Sequence, residues 1–118
     1  MNAIPFIDDT LHDAEWTDIS TEKKVSGSPK SAHKILYESK SGECVAGIYA
    51  STTGAWKISY TEDEFCTLVS GRVRLTDANG VVQNFAAPES FLIPSGFSGT
   101  WESLTPVRKF FVIYEKAK

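Results

Sequence analysis

Residues 54–71 read GAWKISYTEDEFCTLVSG, and residues 88–102 read PESFLIPSGFSGTWE. In both stretches the apolar runs stop at glycine, proline or serine before they reach helix length, which is the pattern of strands joined by tight turns. The same pattern continues on either side. From His33 onward it predicts nine strands, at 33–39, 43–50, 56–60, 64–69, 73–77, 81–86, 90–93, 99–102 and 107–114. Turn signals such as Ser41-Gly42, Ser70-Gly71 and Pro94-Ser95-Gly96 separate them. Asn79-Gly80 is the strongest, since both residue types tolerate the positive φ of a type I′ hairpin. So many short strands suit a closed jelly roll better than a meander, because closure removes exposed edges. The fold class is all-β.

Residues 1–30 read differently. They mix acids, Thr and Trp16 without periodicity and end in the loop signal Ser26-Gly27-Ser28-Pro29. We expect an N-terminal arm over 1–30 and a single barrel domain over 31–118. The length of 118 residues fits one domain. Hydrophobic residues at 42% and charged residues at 23% are ordinary globular usage, and three Trp, four Tyr and seven Phe supply core bulk. A net charge of −3 argues against a nucleic-acid partner, which needs a basic surface. No apolar run reaches the length of a membrane-spanning helix. Residues 1–13 carry acids and no basic leader, so a cytoplasmic protein with both Cys44 and Cys66 reduced is expected.

The two opening stretches resemble the two motifs of the cupins. The first cupin motif runs glycine, five residues, His-x-His, a few residues, Glu, six residues, glycine; the second runs glycine, five residues, Pro-x-Gly, two residues, His. Here Glu64 and Gly71 match the end of the first motif, and Pro94 and Gly96 match the middle of the second. The stretches EDEFCTLVSGRVRLTDANG, ESFLIPSGFSGTWE and PVRKFFVIY look like small single-domain cupins related to ureidoglycine aminohydrolase and the ethanolamine-utilisation cupins. The resemblance implies a double-stranded β-helix, the jelly-roll barrel. Typical cupins hold iron, manganese or nickel with three histidines and the glutamate. In this chain Tyr60 and Glu62 fall on the two His positions counted from Gly54, Ile58 and Tyr60 counted back from Glu64, and Gly99 on the third. His12 and His33, the only histidines, lie outside both motifs and read as surface or packing residues. Only Glu64 of the ligand set remains, and one carboxylate does not hold a transition metal firmly. No metal is expected beyond a weakly bound divalent ion.

Strand alternation sorts the candidate site. If Glu64 points inward, so do Tyr60, Glu62, Cys66 and Leu68 in a regular strand, while Phe65 and Val69 face out; Phe111 and Ile113 are expected on the outside with them. The candidate pocket comprises Trp56, Tyr60, Glu62, Glu64, Cys66, Trp101 and Lys109. Two close carboxylates would form an acid/base pair or attract a cation; alternatively, Glu62-Asp63-Glu64 is a solvated turn. Cys66 reads as a buried small hydrophobe. Lys109 either reaches inward to a carboxylate or snorkels to solvent. Trp101 would fill the space that an imidazole leaves.

Three functions remain open. One is a small-molecule-binding cupin without the usual metal ligands, with no catalytic set assignable from sequence. The second is a metal-dependent enzyme resembling ureidoglycine aminohydrolase, acting on a small ureide or amino-acid-like substrate. The third is a dimeric structural or regulatory accessory protein; a homodimer is expected in any case.

Overall fold

The computed structural model describes residues 3–116, and all its regular structure is β. The nine expected strands are present, within a few residues of their sequence limits: β3 (Lys30–Glu38), β4 (Cys44–Ser51), β5 (Gly54–Ser59), β6 (Asp63–Ser70), β7 (Arg72–Asp77), β8 (Val82–Ala86), β9 (Ser90–Ile93), β10 (Ser98–Ser103) and β11 (Val107–Tyr114). Two short strands precede them, β1 (Thr17–Asp18) and β2 (Lys24–Ser26). They form two antiparallel sheets, in the orders β1-β3-β4-β11-β6-β9 and β2-β5-β10-β7-β8. The order departs from the chain sequence in both sheets, as in a jelly roll. β1 and β2 each pair at a sheet edge, with β3 and β5 respectively. The segment before β3 therefore contributes backbone pairing to both sheets.

The inner faces meet over Trp56, Cys66, Leu68, Val73, Phe91 and Trp101, with further aliphatic residues around them. Trp101 is directly opposite Trp56 across the β5–β10 pair, and the rings stack with centroids 6.3 Å apart. Trp101 also donates its indole N–H to Ser103 Oγ at 2.9 Å, and Ser103 bonds Ser51 at 2.6 Å across the interior. Each buried polar atom in that chain has a partner, so its burial carries no desolvation penalty without compensation.

Two turns explain motif glycines. Gly71, between β6 and β7, has φ +94, and a Cβ there would stand 2.3 Å from the Pro106 carbonyl oxygen. Only glycine fits. The Asn79-Gly80 turn is not type I′, because Asn79 is not at positive φ. Asp77 decides the turn instead. Its carboxylate accepts from the backbone N–H groups of Asn79 and Val81, and its carbonyl accepts from Gly80, leaving Gly80 alone at positive φ. That is a type I turn ending in a left-handed glycine, the commoner geometry for a longer hairpin loop.

Candidate functional site

Even-numbered residues of β6 point inward. Glu64, Cys66 and Leu68 are 4%, 0% and 1% exposed, whereas Phe65 is 45% exposed on the outer face. On the neighbouring strand β11 the odd residues face inward, so Val107, Lys109 and Phe111 are buried. This corrects the expectation for Phe111 and Ile113. Both line the interior cavity, because they share parity with Lys109, and the outer face of β11 is carried by Phe110, Val112 and Tyr114.

The cavity has a volume of about 280 Å³. Its walls are mainly aromatic and aliphatic, including Tyr49, Trp56, Ile58, Tyr60, Trp101 and Phe111, and Glu64 and Lys109 supply the buried polar groups. Half-buried Glu62 and exposed His33 also line it. Six of the seven candidate residues are thus brought together around one space. Cys66 is the exception. It lies under the floor, with Sγ 3.6 Å from Lys109 Nζ.

Lys109 and Glu64 form the centre of this floor. Lys109 Nζ donates to Glu64 Oε2 at 2.9 Å, with both side chains about 5% exposed. The ammonium also stands 4.4 Å from the Trp101 ring centroid and 5.0 Å from that of Tyr49, so two π faces share its charge. Burial alone favours neutral Glu64, but the Lys109 charge and the hydrogen bonds of Tyr60, Lys109 and Cys66 outweigh it and hold the carboxyl below its ordinary range. Burial likewise favours the neutral amine of Lys109, yet Cys66, Glu64 and Tyr60 around it raise it above the ordinary lysine range. Both groups are charged at neutral pH. Burial drives the Tyr60 hydroxyl upward and pushes the Cys66 thiol up to about 12, so neither is an anion there. Cys66 is therefore not an activated nucleophile.

Sequence reasoning missed Tyr49 and His33 and placed Phe111 on the wrong face. Residues of both parities on β4 are buried, with Ile48 and Ala50 on one face and Ser51 on the other. Its alternation therefore carries no sign of which residues reach the cavity.

The residues do not fit a cupin metal. The one retained motif carboxylate, Glu64, already faces the Lys109 cation, which would repel a second positive charge at that distance. Tyr60 and Glu62 do face the cavity from the His positions of the first motif. Gly99 does not line it, and a Cβ at residue 99 would stand 2.0 Å from the Thr76 carbonyl oxygen, so β7 leaves no room for an imidazole. Among the described residues no group of three His, Cys, Asp or Glu side chains is placed to hold a metal ion.

The cavity adjoins a groove of about 440 Å³, and the two share Tyr49, Trp56, Ile58, Tyr60 and Glu62. Beyond that neck the groove is walled by Ile19, Ser20, Lys23 and Lys57, with Asp18.

A two-sheet antiparallel jelly roll with a cavity between its sheets is an architecture that cupins share with other jelly-roll proteins. The chain belongs to the EutQ-like cupin domain family, whose pattern matches residues 38–111. Among solved structures it is similar to a protein of unknown function from Pseudomonas syringae pv. tomato, assigned to the DUF861 family (TM-score 0.77, 22% identity). That match covers 87% of this chain but only 45% of the other, so this chain spans about half of that protein's length. It is also similar to a putative ethanolamine utilization protein Q from Salmonella typhimurium (TM-score 0.67, 16% identity, covering 92% of this chain and 100% of the other). The Clostridium difficile EutQ protein aligns at TM-score 0.66 and 15% identity, over 84% of this chain and 81% of the other. At these identities the structures support the fold alone. No curated protein sequence matches the chain.

Proposed function

We propose that this cupin binds a small organic molecule in the cavity between its sheets, without a metal ion. The observation that carries the reading is the Lys109–Glu64 pair. It supplies one fixed positive and one fixed negative group at the base of an otherwise apolar, aromatic-walled space. A largely apolar pocket with a few converging polar groups is the usual form of a ligand site, and this one is at the small end of the size range. The ligand is accordingly small, with an apolar body against Ile58, Phe111 and the two Trp rings. The reading as a metal-dependent hydrolase gains nothing from the donor set, since Glu64 already has a partner.

The test is titration of the protein with small aryl alcohols, followed by indole N–H shifts of Trp56 and Trp101. Saturable shifts that disappear in a cavity-filling Ile58→Trp variant of unchanged fold support the proposal. Shifts that persist in the filled variant would place binding elsewhere and refute it.

A second proposal concerns assembly. Phe65, Val112 and Leu92 are direct cross-strand neighbours on the outer face of β6, β11 and β9, and are 45%, 41% and 56% exposed. A contiguous apolar face of this kind favours pairing with a second copy, and light scattering at micromolar concentration that finds only monomer would refute it.

A further inference from the structure

We infer that the ligand of the cavity is an organic cation, an ammonium group on a small apolar body; this rests on the small-molecule reading above and specifies its chemistry. The charges lining the cavity are Glu62, Glu64 and Lys109, with His33 on the exposed side. Lys109 neutralises Glu64 at 2.9 Å. That leaves the carboxylate of Glu62. Among the described residues there are three ion pairs, and Glu62 is in none of them. Its hydrogen bond accepts from the neighbouring Thr61 backbone N–H at 2.9 Å. The cavity wall therefore carries one uncompensated negative charge.

The position of that charge fixes the ligand's orientation. Glu62 belongs to the neck shared by cavity and groove, together with the rings of Trp56 and Tyr60. A carboxylate beside aromatic rings is the combination that holds an ammonium group. The same cavity already holds one ammonium in this manner, Lys109 against Glu64 and the Trp101 and Tyr49 rings. A second cation is repelled from the floor by Lys109, so the ligand's charge stays at the neck and its apolar part points inward. A ligand carboxylate gains little at the floor, where Glu64 already faces the Lys109 ammonium. The lysines of the outer groove, Lys23 and Lys57, offer an anion an alternative, and the experiment separates the two cases.

The probes are 2-phenylethylammonium, neutral 2-phenylethanol and anionic 3-phenylpropionate, titrated by calorimetry with tryptophan fluorescence in parallel. The ammonium is expected to bind about tenfold tighter than the alcohol, with the carboxylate weakest. In Glu62→Gln the ammonium loses most of its advantage and the preference over the alcohol shrinks to within about twofold. An alcohol or carboxylate that binds the native protein as tightly as the ammonium overturns the inference and leaves the small-molecule reading standing. So does a folded Glu62→Gln protein that keeps the tenfold preference. If none of the three probes binds at millimolar concentration, both the inference and the reading beneath it fail.

Discussion

Lys109 reaches Glu64 diagonally across the sheet: its Cα is opposite Leu68, while Glu64 is opposite Ile113, yet Nζ and Oε2 are 2.9 Å apart. The four-carbon stem covers the offset, passing Cys66 on the way. Arginine's wide planar head and histidine's short reach do not suit this path.

The pair is buried, so removing one partner leaves a charge without compensation. Lys109→Met is expected to destabilise the protein by about 3–5 kcal/mol. The double variant Lys109→Met/Glu64→Gln should recover much of that loss, because neither charge then remains. Urea unfolding of the four proteins of the cycle measures this, and a single variant as stable as the native protein would contradict the pairing.

The direction of the Glu64 shift sets the acid limb of stability. Its folded pKa lies below the ordinary carboxylate value of 4.5, so its contribution is present above that value and is lost as pH falls through the lower folded pKa. Lys109 is shifted the other way, so its contribution is complete at neutral pH and is lost only above 10.5, as pH rises through the folded pKa. Unfolding free energy followed from pH 7 downward should fall more steeply below pH 4.5 in the native protein than in the double variant. Parallel curves would show that the pair does not titrate with folding.

The fold was legible because turn residues and strand alternation are local. Glu64, Gly71, Pro94 and Gly96 stand in the cupin pattern, and the strand limits followed from the apolar runs. The site was only partly legible. Parity on β6 gave Glu64 and Cys66, but Phe111 was misplaced because nothing in the β11 sequence VRKFFVIY, apolar on both faces, marks Lys109 as inward. The pairing of Lys109 with Glu64 depends on strand register across 45 residues of chain. Tyr49 was hidden by a strand buried on both sides. The Asn79-Gly80 turn was misread because Asp77, two residues earlier, takes the backbone N–H groups that choose the turn type.

The missing third histidine reflects backbone crowding as well as chemistry. Gly99→Ala places a methyl 2.0 Å from the Thr76 carbonyl oxygen, and forcing β7 and β10 apart should cost at least about 1–3 kcal/mol. Ser98→Ala, on an exposed neighbour, is the control and should be near neutral. Gly99→His is expected to lose the same stability and to gain no manganese or nickel affinity; thermal unfolding and metal titration check both.

The two cysteines should differ in reactivity. Cys66 is fully buried with its thiol pushed up to about 12, whereas Cys44 is half-buried. Iodoacetamide at pH 8 should label Cys44 first in the native protein, and Cys66 only on unfolding. Peptide mass spectrometry gives the order, and early labelling of Cys66 would show an open route to the floor of the cavity.

The most direct test of a metal-free ligand site is calorimetric titration of 2-phenylethylammonium into protein purified through chelator, and into the same protein supplied with manganese or nickel, with metal content measured in both. Equal affinities and no stoichiometric metal in either preparation are expected. Binding that appears only with a stoichiometric metal, and that disappears along with the metal in Glu64→Gln, would contradict it.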